Sequence, residues 1–188
     1  MPAPIRRTAP GWLAVAVFLL AGCGSSADGA APVGGADASP TRLPAEYAGG
    51  ACQLLNYQVV ESTLGARFDV AASAQQQDTY TCVLQPAKAD YPDLLLSVTP
   101  TDADVSVFKS TVVPDGASRV SDLGLTGYST LLKAGGGAGP GVEVGWLSGN
   151  SRLIVLRYTL ASGAAAGDAK AAVPKLVALA KKVDQSSL

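Results

Sequence analysis

Hydrophobic and polar positions divide the chain into three stretches. Residues 11–20, "GWLAVAVFLL", form an apolar run of about ten residues, half of the roughly 20 that a bilayer-spanning helix needs. Residues 24–50, "GSSADGAAPVGGADASPTRLPAEYAGG", hold almost nothing but Gly, Ala, Ser, Pro and Asp, too little apolar bulk for a core. From Ala51 onward apolar residues recur with the periods of helices and strands, so folded material is expected from there to Leu188.

Within that last stretch, "CQLLNYQVVESTLG" reads as a helical turn and a short helix. Asn56 is its N-cap, Gly65 its left-handed C-cap, and Leu55, Val59, Val60 and Leu64 its apolar face. Residues 79–85 (TYTCVLQ) and 93–100 (DLLLSVTP) are strands, joined through the loop "PAKADYP". Residues 101–113 carry β-branched side chains, but an acidic first turn and Val105, Phe108 and Val112 at helical spacing favour a helix capped by Thr101 or Asp102. "PDG" (114–116) turns the chain and "SRVSDLG" offers a short strand. Residues 127–134 are a further strand, and "SGN" (148–150) is the turn of a hairpin between residues 142–149 and 151–161. "GDAKAAVPKLVALAKKVD" is the closing helix, with Val173, Leu176, Val177, Ala180 and Val183 inward, Lys181 and Lys182 at its C-terminal dipole, and Pro174 at a first turn or a kink. With the short 118–124 segment left out, the order is α-β-β-α-β-β-β-α. It predicts an α+β fold: a single antiparallel β-sheet with helices packed on one face.

The apolar run at the front has a positive flank, Arg6-Arg7, and the length of a secretory signal core. It ends in Leu20-Ala21-Gly22-Cys23, which resembles the lipobox of bacterial lipoproteins. In that family the cysteine thiol is joined to a diacylglycerol and the chain is then cut just before it. The resemblance implies a signal peptide over 1–22, a lipid-bearing N-terminal Cys23 and a protein held on the extracytoplasmic side of the cell membrane. The residue types suit the chemistry. Leu20 fills an apolar pocket, Ala21 and Gly22 let a peptidase approach the backbone, and only a thiol forms the thioether. Arg6-Arg7 also fits a twin-arginine signal, but Thr8-Ala9-Pro10 lacks the apolar residue expected after the pair, which favours the general secretory route. Residues 23–50 then act as the lipidated cysteine and a flexible tether, roughly 25–30 Å long as a random coil. The strong Ala and Gly bias points to a GC-rich genome.

Without Arg6 and Arg7, twelve basic residues face fifteen acidic ones, a net charge of −3. No basic footprint for nucleic acid or for anionic headgroups results, so anchoring falls to the lipid. With Cys23 assigned to lipid, Cys52 and Cys82 are left, and an even pair in an exported domain is most simply a disulfide. Free thiols and a redox pair are the alternatives, the second disfavoured by a spacing of thirty residues.

The domain also resembles a group of actinobacterial exported lipoproteins known only as domains of unknown function. The resemblance rests on Cys52 followed by Leu54-Leu55, on Leu64-Gly65, on Cys82 and on Leu123-Gly124-Leu125-Thr126-Gly127-Tyr128. Where relatives often carry a tryptophan after the second cysteine, this chain has Val83-Leu84. The resemblance implies a binding or sensing role in the envelope and supplies no catalytic residues.

The chain has no histidine, which excludes Ser-His-Asp and Cys-His catalysis and His-ligated metals. The Gly-rich tract 135–141 lacks the Lys-Ser/Thr of a phosphate loop and reads as a hairpin loop. Asp102 and Asp104 have calcium-ligating chemistry, but no ligand series continues from them and helix capping is the simpler reading. Glu143 and Arg157, on adjacent expected strands, are placed to pair across the sheet. We expect no enzyme and no cofactor or metal site. Two functions are carried forward: a lipoprotein binding a small molecule or lipid, and a protein-interaction or scaffold module at the envelope. The apolar set Leu94–Leu96, Trp146, Leu153–Leu156 and Tyr158 is either the wall of a ligand cavity or the core. A cavity between sheet and helices would favour the first function, and an apolar patch on the outer sheet face the second.

Overall fold

The computed structural model describes residues 42–186. Seven strands form one antiparallel sheet in the spatial order β1-β2-β3-β7-β6-β5-β4. They are β1 (Val70–Gln76), β2 (Thr79–Gln85), β3 (Asp93–Pro100), β4 (Ser118–Val120), β5 (Thr126–Leu132), β6 (Gly141–Leu147) and β7 (Arg152–Thr159). The α+β class and the single antiparallel sheet are as the hydrophobic pattern predicts. The order differs in having β1, an extra strand after the first helix, and in including the short β4.

Helix α1 (Tyr57–Leu64) starts and ends as expected. The Asn56 side chain accepts from the N–H groups of Gln58 and Val59, and Gly65 takes φ 77° at the C-cap. Its buried face is Tyr57, Val60 and Leu64; Val59 points to solvent, one position away from the expected stripe. Helix α3 (Ala166–Ser186) buries Ala169, Ala172, Leu176, Leu179, Ala180 and Val183, with Val173 and Val177 half-buried at its margins. Pro174 stands in its ninth position, so it is an interior proline and not a first-turn one. Both helices lie on one face of the sheet, over Leu94, Leu96, Val142, Val144, Trp146, Ile154, Leu156 and Tyr158. A short segment, α2 (Val105–Val107) continuing into a π-type turn to Val112, lies on the opposite face. There Phe108 joins Tyr128 and Leu147 in a second small core. Asp104, rather than Thr101 or Asp102, caps it, accepting from Ser106 and Val107.

The fold begins earlier than the expected boundary at Ala51. Arg42 pairs with Glu61 at 2.6 Å and lies 3.6 Å over the Tyr57 ring, and Ala45 is fully buried. Two 3₁₀ turns, Ala45–Ala48 and Gly50–Leu54, pack against the β1–β3 side of the sheet. Residues 42–50 therefore belong to the domain and not to the expected tether. The second turn carries Cys52, bonded to Cys82 on β2 with Cα atoms 4.9 Å apart. This disulfide is the pairing expected from the cysteine count, and both cysteines are fully buried. Leu20, Ala21, Gly22 and Cys23, with the rest of the expected signal and most of the expected tether, lie outside the described residues. Among the described residues no helix is long and apolar enough to cross a membrane.

Candidate functional site

The apolar residues that could have walled a ligand cavity are core. Leu94, Leu96, Trp146, Ile154 and Leu156 are fully buried and Tyr158 nearly so, all beneath the helices. Their neighbours Leu95, Leu153 and Val155 face the other side and are half-buried. The strand register sets Ala72, Val83, Leu95 and Arg157 in one row across that outer face, and Ala74, Thr81, Ser97 and Val155 in the next.

Toward β5 the outer face carries an ionic cluster, with Glu143 buried and Arg157 reaching it from solvent. Glu143, 8% exposed, is opposite Arg157 in the register. Arg157 donates to its Oε2 through both Nη2 at 2.6 Å and Nε at 3.1 Å, two charge-assisted bonds converging on one carboxylate oxygen. The cross-strand pair expected from sequence is thus formed, but it is more than a surface pair: the Tyr128 hydroxyl donates to Oε1 at 2.8 Å. Burial and this bond to a charged acceptor both push the Tyr128 phenol well above its usual range. The Tyr128 ring reaches Glu143 by crossing Gly145, where an added Cβ would stand 2.5–2.7 Å from the ring. Phe108 closes the ring from above, 6.0 Å between centroids.

The Leu123–Tyr128 motif is explained by packing at the same end of the sheet. Gly124 takes φ 52° and presses against the Leu147 carbonyl, so any side chain there would collide with backbone. Its N–H donates to Asp184 of α3, which also accepts from the Trp146 indole at 2.8 Å. Gly127 fits under Leu123 and Trp146. The motif fixes the end of α3 to the start of β5.

An open groove lies between β5 and the N-terminal half of α3. Gly116, Ser118, Ser129, Leu131, Lys170, Val173 and Pro174 line a volume of about 540 Å³. From Leu131 it continues into a second hollow of about 400 Å³ beside Lys133, Pro140, Ala166 and Ala169. Leu131 is half-exposed. Sequence reasoning missed this groove because it depends on where a turn leaves the sheet, and periodicity does not record that.

The remaining candidates resolve as structure. Asp104 is a helix cap, its carboxyl held below the usual range chiefly by the Ser106 hydroxyl and then by the N–H groups of Val107 and Ser106. Neither it nor Asp102 belongs to any group of three potential metal ligands among the described residues. The 135–141 tract is the hairpin loop expected of it, with Gly135 and Ala138 bridged. No family model, no curated protein and no solved structure matches the chain.

Proposed function

We propose that the chain is a lipid-anchored, non-catalytic binding protein of the actinobacterial envelope, and that it holds its ligand in the groove between β5 and α3. The front-end sequence supports the anchor: a short apolar run, Leu20-Ala21-Gly22-Cys23 and a Gly/Ala/Ser/Pro tether. The Cys52–Cys82 disulfide suits an oxidising compartment. One observation carries the binding reading. The interior apolar set is filled core, whereas the β5–α3 groove has the volume of a ligand site, on the order of 300–1,000 Å³, and apolar walls. The absence of histidine from the sequence supports the non-catalytic part.

The uncovered rows Ala72-Val83-Leu95 and Ala74-Thr81-Ser97-Val155 favour a second reading, a protein-interaction module using the outer sheet face. Native mass spectrometry of the protein purified from its own membrane separates the two. Under the first reading a lipid or metabolite travels with the wild type and is lost from Val173→Trp, which fills the groove. A stoichiometric protein lost instead from Leu95→Glu establishes the second reading. A ligand retained in full by Val173→Trp refutes the groove.

A further inference from the structure

We propose that the groove takes an extended peptide segment with acidic and apolar residues on the side that faces α3, which adds to the free edge of β5 as a strand in line with β4. This rests on the groove being the binding site.

β5 pairs with β6 along its whole length, Thr126 to Leu132, but with β4 only from Gly127 to Ser129. Continued backwards, the β4 register would set Ala117 opposite Thr130, Gly116 opposite Leu131 and Asp115 opposite Leu132. The chain does not go there. A turn closed by the Ala117 N–H on the Pro114 carbonyl at 3.1 Å, with Gly116 at φ 75°, takes it off the sheet. A Cβ added at Gly116 would meet nothing within 4 Å. The groove is therefore the place of a missing strand continuation, beside an edge that has no strand partner among the described residues.

The opposite wall offers backbone polarity as well. Pro174 has no N–H for the Lys170 carbonyl, so the helical ladder is broken on the side of α3 that lines the groove. An acyl chain would cover these backbone groups without bonding them, leaving each buried and unpaired. A peptide in β-conformation brings its own N–H and C=O groups to the edge, as in other cases of strand addition. Its alternate side chains would meet Leu131, Val173 and Pro174. The charged lining residues are Lys170 and Lys133, no acidic residue lines either hollow, and neither lysine is in an ion pair among the described residues. Both lysines stand on the α3 side with Leu131, Val173 and Pro174, so charge complementarity selects acidic residues among the side chains that face α3, beside an apolar one.

The test uses the mature lipoprotein in detergent and four probes: acetyl-Glu-Thr-Val-Thr-Glu-amide, the same peptide N-methylated at both threonines, its counterpart with lysine for glutamate, and oleate. The plain peptide is expected to bind and to slow hydrogen exchange over residues 130–132 at least tenfold, and the N-methylated one to do neither. Lys170→Glu should weaken the acidic peptide by roughly threefold, the scale of one exposed ion pair, and strengthen its lysine counterpart by a similar factor. Val173→Trp should abolish binding; if that variant fails to fold, the charge reversal at Lys170 decides. Oleate bound in a manner sensitive to Val173→Trp, with no peptide bound, overturns the strand inference and leaves the groove as the site. Binding of neither probe overturns both.

Discussion

Gly145→Ala tests the packing that places β5 beside its neighbours. The ring of Tyr128 lies across Gly145, and a methyl there would stand 2.5 Å from Cε1, 2.6 Å from Cζ and 2.7 Å from the hydroxyl oxygen. All three are well inside van der Waals contact, so the ring has to leave. It has no easy exit: it is 3% exposed, capped by Phe108 and bonded to Glu143. Overpacking of this kind costs about 1–3 kcal/mol. The lost hydrogen bond to a charged acceptor adds about 1.5–3 kcal/mol and leaves one Glu143 oxygen unpaired. A destabilisation of about 3–5 kcal/mol is expected, a large share of a stability of about 5–15 kcal/mol. The assay is urea unfolding of wild type, Gly145→Ala, Tyr128→Leu and the double variant. With the ring gone, Gly145→Ala should cost under about 1 kcal/mol, because the clash and the glycine are one interaction. Equal costs in both backgrounds would refute the crossing-ring account.

Three further outcomes follow from the same contacts. Replacing Cys52 and Cys82 by serine releases a closed loop spanning 30 residues and should cost about 3.6 kcal/mol on the chain-entropy estimate, read as a lower urea midpoint. Asp184→Ala removes the acceptor of both the Gly124 N–H and the Trp146 indole, and should cost about 2 kcal/mol with a shift in tryptophan emission. Tyr128 and Tyr158 both have phenol pKa values raised by burial, Tyr128 further by Glu143. Their contribution to stability is full below the unfolded-state value near 10 and is lost as pH rises above it. Urea midpoints should therefore fall as pH rises above about 10, and fall less in Tyr128→Phe.

Elements whose side chains alternate between core and solvent were legible in the sequence, and edges were not. The β6–β7 hairpin could be read because Val142, Val144, Ile154, Leu156 and Tyr158 must all reach one face, with "SGN" between them. β1, "VAASAQQ", could not. It is an edge strand whose side chains are almost all exposed, so no hydrophobic alternation marks it, and its pairing with β2 defines it. The Asn56 and Gly65 caps were visible because capping is local chemistry. Val59 was misplaced and Tyr57 missed because the stripe of an eight-residue helix is set by what it packs against. Glu143 and Arg157 were legible as a pair. The third member, Tyr128, was not, because its reach depends on Gly145, far off in sequence, making room on the next strand. The groove was illegible for the same reason: Gly116 is an ordinary turn residue in sequence, and only the register shows which strand positions the turn leaves open.

Anchoring at Cys23 is the claim on which the protein's place at the envelope depends, and one measurement addresses it directly. The intact mass of protein extracted from its own membrane, wild type against Cys23→Ser, should show a chain starting at Cys23 and heavier by a diacylglycerol for the wild type. The serine variant should appear only as an unprocessed precursor or as protein released to the medium. A wild-type mass without lipid, or a serine variant processed and retained like the wild type, would contradict the account.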